Sequence, residues 1–192
     1  MVIAVGVDPG TRQLGWGVVV RSGNTLDHVA HGVIRLDPRQ SLALRLHRIE
    51  EQLSRVLAEY RPSVGSVETL FFHKDAQAAA KLGHARGVVL LSLARAGVDV
   101  VEYAPARVKR AVVGHGRADK RQVALMVRTL FRLPDTPASD AADALALAVT
   151  HLRLGALAPL LASRTSVRDN PILAAMARRR GGRSASRRGL RF

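Results

Sequence analysis

Two β-branched apolar runs, residues 2–7 and 18–20, flank Asp8-Pro9-Gly10-Thr11 and a glycine-rich return through Gly15 and Gly17. Runs of this kind read as buried strands joined by a short turn, which commits the chain to a sheet from its first residues. Asp8 falls where the first strand ends, so its carboxylate can point off the sheet into a crevice. Gly10, Gly15 and Gly17 let the backbone return tightly and pass close to a ligand. Three uses of the turn stay open on these residues alone. It could hold a metal for phosphodiester chemistry, cradle a nucleotide phosphate, or be an ordinary hairpin turn, where Asp, Pro and Gly are common.

The chain beyond the hairpin alternates strand and helix signals. Residues 25–36 alternate well enough for a third strand that completes an antiparallel meander. Across residues 41–60, Leu42, Leu46, Ile49, Leu53, Val56 and Leu57 recur at helical spacing, and Arg61-Pro62 ends that helix. Residues 64–68 form a short strand with Glu68 at its C-terminal end, as Asp8 is on the first. This strand–helix–strand order implies parallel pairing through a right-handed crossover. A long helix follows over residues 74–96. Its small residues Ala76, Ala79, Ala80, Gly83 and Gly87 permit close approach of another backbone.

Residues 98–103 make a further strand, stopped by Pro105. Residues 107–116 are basic and end in a turn at Gly114-His115-Gly116. Residues 119–132 form an amphipathic helix with Val123, Met126, Val127 and Leu130 inward. Thr136 as N-cap and Pro137 at the first helical position start the last core helix, residues 138–154. Asp140 and Asp143, three apart, share one face of it. Beyond Pro159 the apolar periodicity fades, and residues 181–189 are low-complexity and basic, the signature of disorder. The expected architecture is α/β, a mixed five-stranded sheet flanked by helices. Residues 1–160 form the folded domain and 161–192 a basic, disordered tail.

Charge narrows the partner. Thirty Lys and Arg against fifteen acids leave +15, and only four of the thirty are Lys. Residues 164–192 carry +8 and residues 1–163 carry +7, so the body is basic as well as the tail. A polyanion, nucleic acid before membrane, is the expected partner; a solubilising tail on an unrelated enzyme would leave the body's charge unexplained. No uncharged apolar stretch is long enough to span a bilayer. Without cysteine, a basic n-region or such a span, the chain is expected to be cytoplasmic.

Against this positive background, Asp8, Glu68, Asp140 and Asp143 stand out by position. Dipole complementarity in a helix's first turn covers Asp140 and can extend to Asp143. In an open α/β sheet, however, ligands bind beyond the C-terminal strand ends, where all four acids could meet. Clustered carboxylates repel one another unless cations neutralise them, and hard oxygen ligands select Mg²⁺ or Mn²⁺.

With those residues in view, the chain resembles the RuvC family of Holliday-junction resolvases over residues 1–155. The matching blocks are Gly6-Val7-Asp8-Pro9-Gly10-Thr11 with Gly15-Trp16-Gly17, then Glu68, then Ala80-Lys81-Leu82-Gly83-His84-Ala85-Arg86-Gly87. They continue through Val108-Lys109-Arg110-Ala111-Val112-Val113-Gly114, Asp119-Lys120, Met126-Val127-Arg128-Thr129-Leu130 and Ser139-Asp140-Ala141-Ala142-Asp143-Ala144-Leu145-Ala146. Several blocks in order are far more specific than one motif. One departure from the family pattern is mild: Trp16 stands where Tyr is frequent. Some members carry His in place of the last Asp; this sequence keeps Asp143.

The resemblance implies a ribonuclease-H-like fold, a homodimer, and paired metal-dependent cleavage of four-way junctions in DNA recombination and repair. It also implies 5′-phosphate and 3′-hydroxyl ends and a functional association with a branch-migration motor. By position, Asp8, Glu68, Asp140 and Asp143 become metal-binding catalytic carboxylates serving two Mg²⁺ ions, for which Mn²⁺ substitutes. Lys109, Arg110, Arg117, Lys120 and Arg121 are candidate DNA contacts beside Arg107. Phe71 and Phe72 follow the Glu68 strand, and Phe71 is the one expected to stack on junction bases. Two other classes compete: a sugar-kinase or actin-like ATPase, whose phosphate loop also reads Asp-x-Gly-Thr, and a non-catalytic DNA-binding module. The first needs a second lobe that 192 residues cannot supply. The second leaves the four acids without a purpose.

Overall fold

Alternation along the first hairpin decides which layer each side chain joins. In β1 (Val2–Asp8), Val5 and Val7 enter one core while Ala4 enters the other. In β2 (Gln13–Ser22), Leu14 and Val18 take the first side and Val19 the second. Both faces of the hairpin are therefore buried, as its near-continuous apolar sequence requires. The computed structural model describes residues 1–69 and 76–164, with side chains as far as residue 155.

The sheet has the order β3-β2-β1-β4-β5, with β3 (Thr25–Arg35), β4 (Val64–Glu68) and β5 (Asp99–Tyr103). β1, β2 and β3 pair antiparallel, whereas β1–β4 and β4–β5 are parallel. The expected mixed five-stranded sheet is thus the observed one. Helices α1 (Leu42–Tyr60) and α2 (Ala76–Arg95) cover one face, burying Ile49, Leu53, Val89 and Leu93. Helices α3 (Pro105–Val113), α4 (Lys120–Phe131) and α5 (Ser139–Arg164) cover the other. Residues Met1–Leu154 form one compact unit.

Local chemistry sets the helix starts. The Ser41 hydroxyl accepts from the Leu44 N–H to cap α1. Asp119 and Gln122 form a reciprocal capping box on α4. Three local expectations fail. Residues 105–113 form a helix, not merely a basic approach to a turn; only Val108 and Val112 are buried there, too weak a signal to read. Helix α5 starts at Ser139, and the Ala138 carbonyl takes its first hydrogen bond from Ala142, so Thr136 is not the N-cap. Pro137 is buried ahead of the helix rather than in its first turn. Met126, expected inside, is 37% exposed.

Helix α5 is the element the hairpin is built to receive. Ala144 through Val149 are all buried, an apolar run without a polar face. A Cβ at Gly6 would collide with the Ala144 carbonyl, and one at Gly15 with the Asp140 carbonyl. Gly15 therefore makes room for a helix and not, as its sequence context suggested, for a ligand. Gly10 is also explained without a ligand: a Cβ there would strike the Gln13 carbonyl across the turn.

Candidate active site

Strand parity puts the first two acids together. Ala4, Gly6 and Asp8 face the α5 layer along β1, and Val64, Ser66 and Glu68 do so along β4. The parallel register pairs Val7 with Val67, so Asp8 and Glu68 leave neighbouring strands at the same end. Helix α5, lying on Gly6 and Gly15, carries Asp143 over that end with Asp140 one turn earlier. Asp8, Glu68 and Asp143 line a cavity of about 290 Å³ with Lys109 and Lys120, against apolar Val108, Val123 and Leu147.

These charges disturb one another. Burial, foremost, and the neighbouring Asp143, Glu68 and Asp140 push the Asp8 carboxyl up from 3.8 to about 7, against the opposing pull of Lys120. Glu68 is raised too, by burial and then by Asp143, with Lys120 and Lys109 opposing. The Lys120 ammonium donates to Asp143 Oδ2 at 3.0 Å, and that bond heads the causes raising its own pKa. Lys120 is placed there because it opens α4 immediately after the Asp119 cap.

The remaining expected residues lie farther out. Asp140 does not line the cavity, although its charge reaches Asp8 and Lys120. Arg110, Arg117 and Arg121 are exposed and outside the cavity lining. Phe71 and Phe72 lie outside the described residues, so their expected base contact has no structural counterpart here.

The donor set suits a hard divalent cation. Oxygen ligands converge, and beyond burial the neighbouring Asp143, Glu68 and Asp140 charges hold the Asp8 carboxyl up, a repulsion that added positive charge would relieve. The cage is not pre-closed: among the described residues, no group of three or more His, Asp or Glu side chains is positioned to hold one ion. Instead the Lys120 ammonium lies among the acids.

One contributor carried no sequence signal of its own. Arg86 of α2 is buried, pairs through Nη2 with Glu102 Oε2 at 2.6 Å, and donates from Nη1 to the Glu68 carbonyl at 3.3 Å. It grips the Glu68 main chain from behind the sheet. Its place in the Ala80–Gly87 block and in an apolar helical stretch were the cues, and neither indicated this contact. Arg86→Met should lower stability by about 2 kcal/mol, because Glu68 O loses a charged donor. Half-exposed Glu102 recovers water and limits the loss. Urea unfolding measures it, and an unchanged midpoint would show the bond to be idle.

Residues 4–151 match the family described as Crossover junction endodeoxyribonuclease RuvC. A protein of that name from Sorangium cellulosum is 55% identical over 159 residues, covering 83% of this chain and 89% of its own. One from Geobacter sulfurreducens is 46% identical over 159 residues, covering 83% and 97%. Among solved structures, Thermus thermophilus RuvC in complex with a Holliday junction substrate has a TM-score of 0.75 at 39% identity. That alignment covers 81% of this chain and 97% of the other.

Proposed function

Because the chain belongs to the RuvC family of crossover junction endodeoxyribonucleases, we propose that it resolves four-way DNA junctions by divalent-cation-dependent phosphodiester hydrolysis. The observation that carries the chemistry is the convergence of Asp8, Glu68 and Asp143 in one cavity of a protein with charge +15. Asp8, Glu68, Asp140 and Asp143 would hold two Mg²⁺ or Mn²⁺ ions. Bound there, such ions neutralise the scissile phosphate and activate water. Asp8, on a central strand between Glu68 and α5, is the residue positioned to serve both. Lys109 and Lys120, in the same cavity as the acids, would orient the phosphodiester. Each cut leaves a 5′-phosphate and a 3′-hydroxyl.

A junction has near two-fold symmetry, so cutting opposed strands calls for two active sites in a C₂ dimer. Helix α2 supplies a surface for it. Gly83 and Gly87 face open space, and Leu91 beyond them is 54% exposed. At Gly83 and Gly87 the small-residue stripe therefore leaves room for another backbone among the described residues. Gly83→Trp should leave the monomer folded and shift the protein from dimer to monomer in analytical ultracentrifugation. A dimer indifferent to Trp there would place the interface elsewhere. Work in recombination and repair in the cytoplasm, beside a branch-migration motor, completes this reading.

A labelled four-way junction incubated with Mg²⁺ beside a linear duplex, with and without ATP, tests the assignment. Paired symmetric nicks specific to the junction and independent of ATP are expected. ATP dependence would favour the kinase-like reading, and binding without nicks the non-catalytic one. Lys109→Ala should reduce the salt slope of junction binding by about one unit if Lys109 meets a phosphate. An unchanged slope would remove it from the contact set.

A further inference from the structure

Asp8 and Glu68 project towards α5, yet the ends of the strands that carry them are tied to the helices behind the sheet. On β4 the tie is Arg86 of α2, a buried arginine. It donates from Nη1 to the Glu68 carbonyl at 3.3 Å and from Nη2 to Glu102 Oε2 at 2.6 Å. Glu102 pairs with Val67 across β4 and β5, so it shares the face on which Val67 joins the α1–α2 core. The guanidinium is thus anchored on β5 and holds β4 at the residue that supplies the carboxylate. On β1 the tie is Arg45 of α1, which donates from Nη1 to the Thr11 carbonyl at 2.7 Å in the turn that follows Asp8. That turn is also held at Arg12, whose carbonyl accepts from the Leu36 N–H at 3.0 Å.

Ordinary packing does not account for Arg45. Its Nε is buried without a hydrogen-bond partner among the described residues, an unmade bond that costs stability. What the side chain gains is the Thr11 bond. The charges that shift the Asp8 and Glu68 carboxyls are those of neighbouring acids, Lys109 and Lys120, so the arginines act on the main chain. The direction in which a carboxylate leaves a strand follows that main chain. We propose that Arg86 and Arg45 are positioning residues of the metal site, holding the ends of β4 and β1 from behind so that Glu68 and Asp8 meet a shared cation. This rests on the metal-dependent reading of the site and gives the α1–α2 layer a part in it.

Mn²⁺ binding to the DNA-free protein, followed by the electron paramagnetic resonance of the free ion, tests it without cleavage. Arg86→Met and Arg45→Met should each weaken binding about tenfold, the scale on which outer-shell partners support metal ligands. The Mg²⁺ concentration giving half-maximal junction cleavage should rise by the same factor. Arg86→Lys keeps a charge beside Glu102 but cannot fork to both acceptors, so it too should bind Mn²⁺ more weakly than wild type. Val89→Ala, one turn along α2, trims a fully buried side chain in the same layer and should leave Mn²⁺ affinity unchanged. Junction affinity in chelator, and its salt slope, should match wild type in every variant. Wild-type Mn²⁺ affinity in the folded arginine variants, or an equal loss in Val89→Ala, would overturn the clamp and spare the metal site. So would a lower salt slope in Arg45→Met, which would make Arg45 a phosphate contact instead. A wild type that binds no Mn²⁺ would overturn both.

Discussion

Asp8→Asn should lower junction cleavage by about a thousandfold or more, a loss of roughly 4 kcal/mol of transition-state stabilisation, while junction affinity in chelator stays near wild type. The substitution keeps the shape of the side chain and its place at the end of β1. What it removes is the charge that would hold cations. A second, independent readout follows from the same residue. The Asp8 carboxyl rises from 3.8 to about 7 in the folded protein. A group whose folded pKa exceeds its unfolded value supports folding in full below the unfolded pKa, and that support is lost as pH rises towards the folded one. The metal-free wild type should therefore lose stability relative to Asp8→Asn between about pH 4 and pH 7, by up to a few kcal/mol. Above pH 7 the variant should melt higher, and Mg²⁺ should narrow the gap by stabilising the wild type alone. Wild-type cleavage by the variant, or a melting difference flat across pH, would remove Asp8 from the centre of the site.

That expectation depends on how far the fold was legible beforehand. β1, β2, β4 and α1 were readable because periodicity and length agreed, and both layers needed those residues. Position alone singled out Asp8 and Glu68, since each closes a short apolar run and the end of a strand is a local property that a sequence can show. Helix α3 was not legible, because two buried valines in a basic stretch give no period. Gly15 was misread for a deeper reason. A glycine beside an acidic turn serves equally for a ligand or for a crossing helix, and only the tertiary path of α5 distinguishes the two. Arg86 was hidden likewise: its partners, Glu68 O and Glu102, come from two strands that no spacing on α2 announces.

The role of α5 leads to the second large effect. Gly15→Ala places a methyl against the Asp140 carbonyl, a backbone group that cannot rotate away. The start of α5 must move off β2 or the hairpin must distort. Overpacking of this kind costs about 1–3 kcal/mol. The displaced turn carries Asp140 and leads directly to Asp143, so the active site should suffer beyond the stability loss. A shift of about 1 Å can cost on the order of a hundredfold in rate. Gly17→Ala is the control. Its methyl meets chiefly the Leu145 side chain, with Cδ2 and Cγ at 2.7 Å, which can change rotamer. Both variants should lose stability, but Gly15→Ala alone should lose most cleavage when assayed well below its melting temperature. Junction affinity should survive in both, because the basic surface is untouched. Equal cleavage by the two would mean that α5 does not carry the carboxylates to the hairpin through its contact at Gly15, and that Asp143 is held in place by its bond to Lys120.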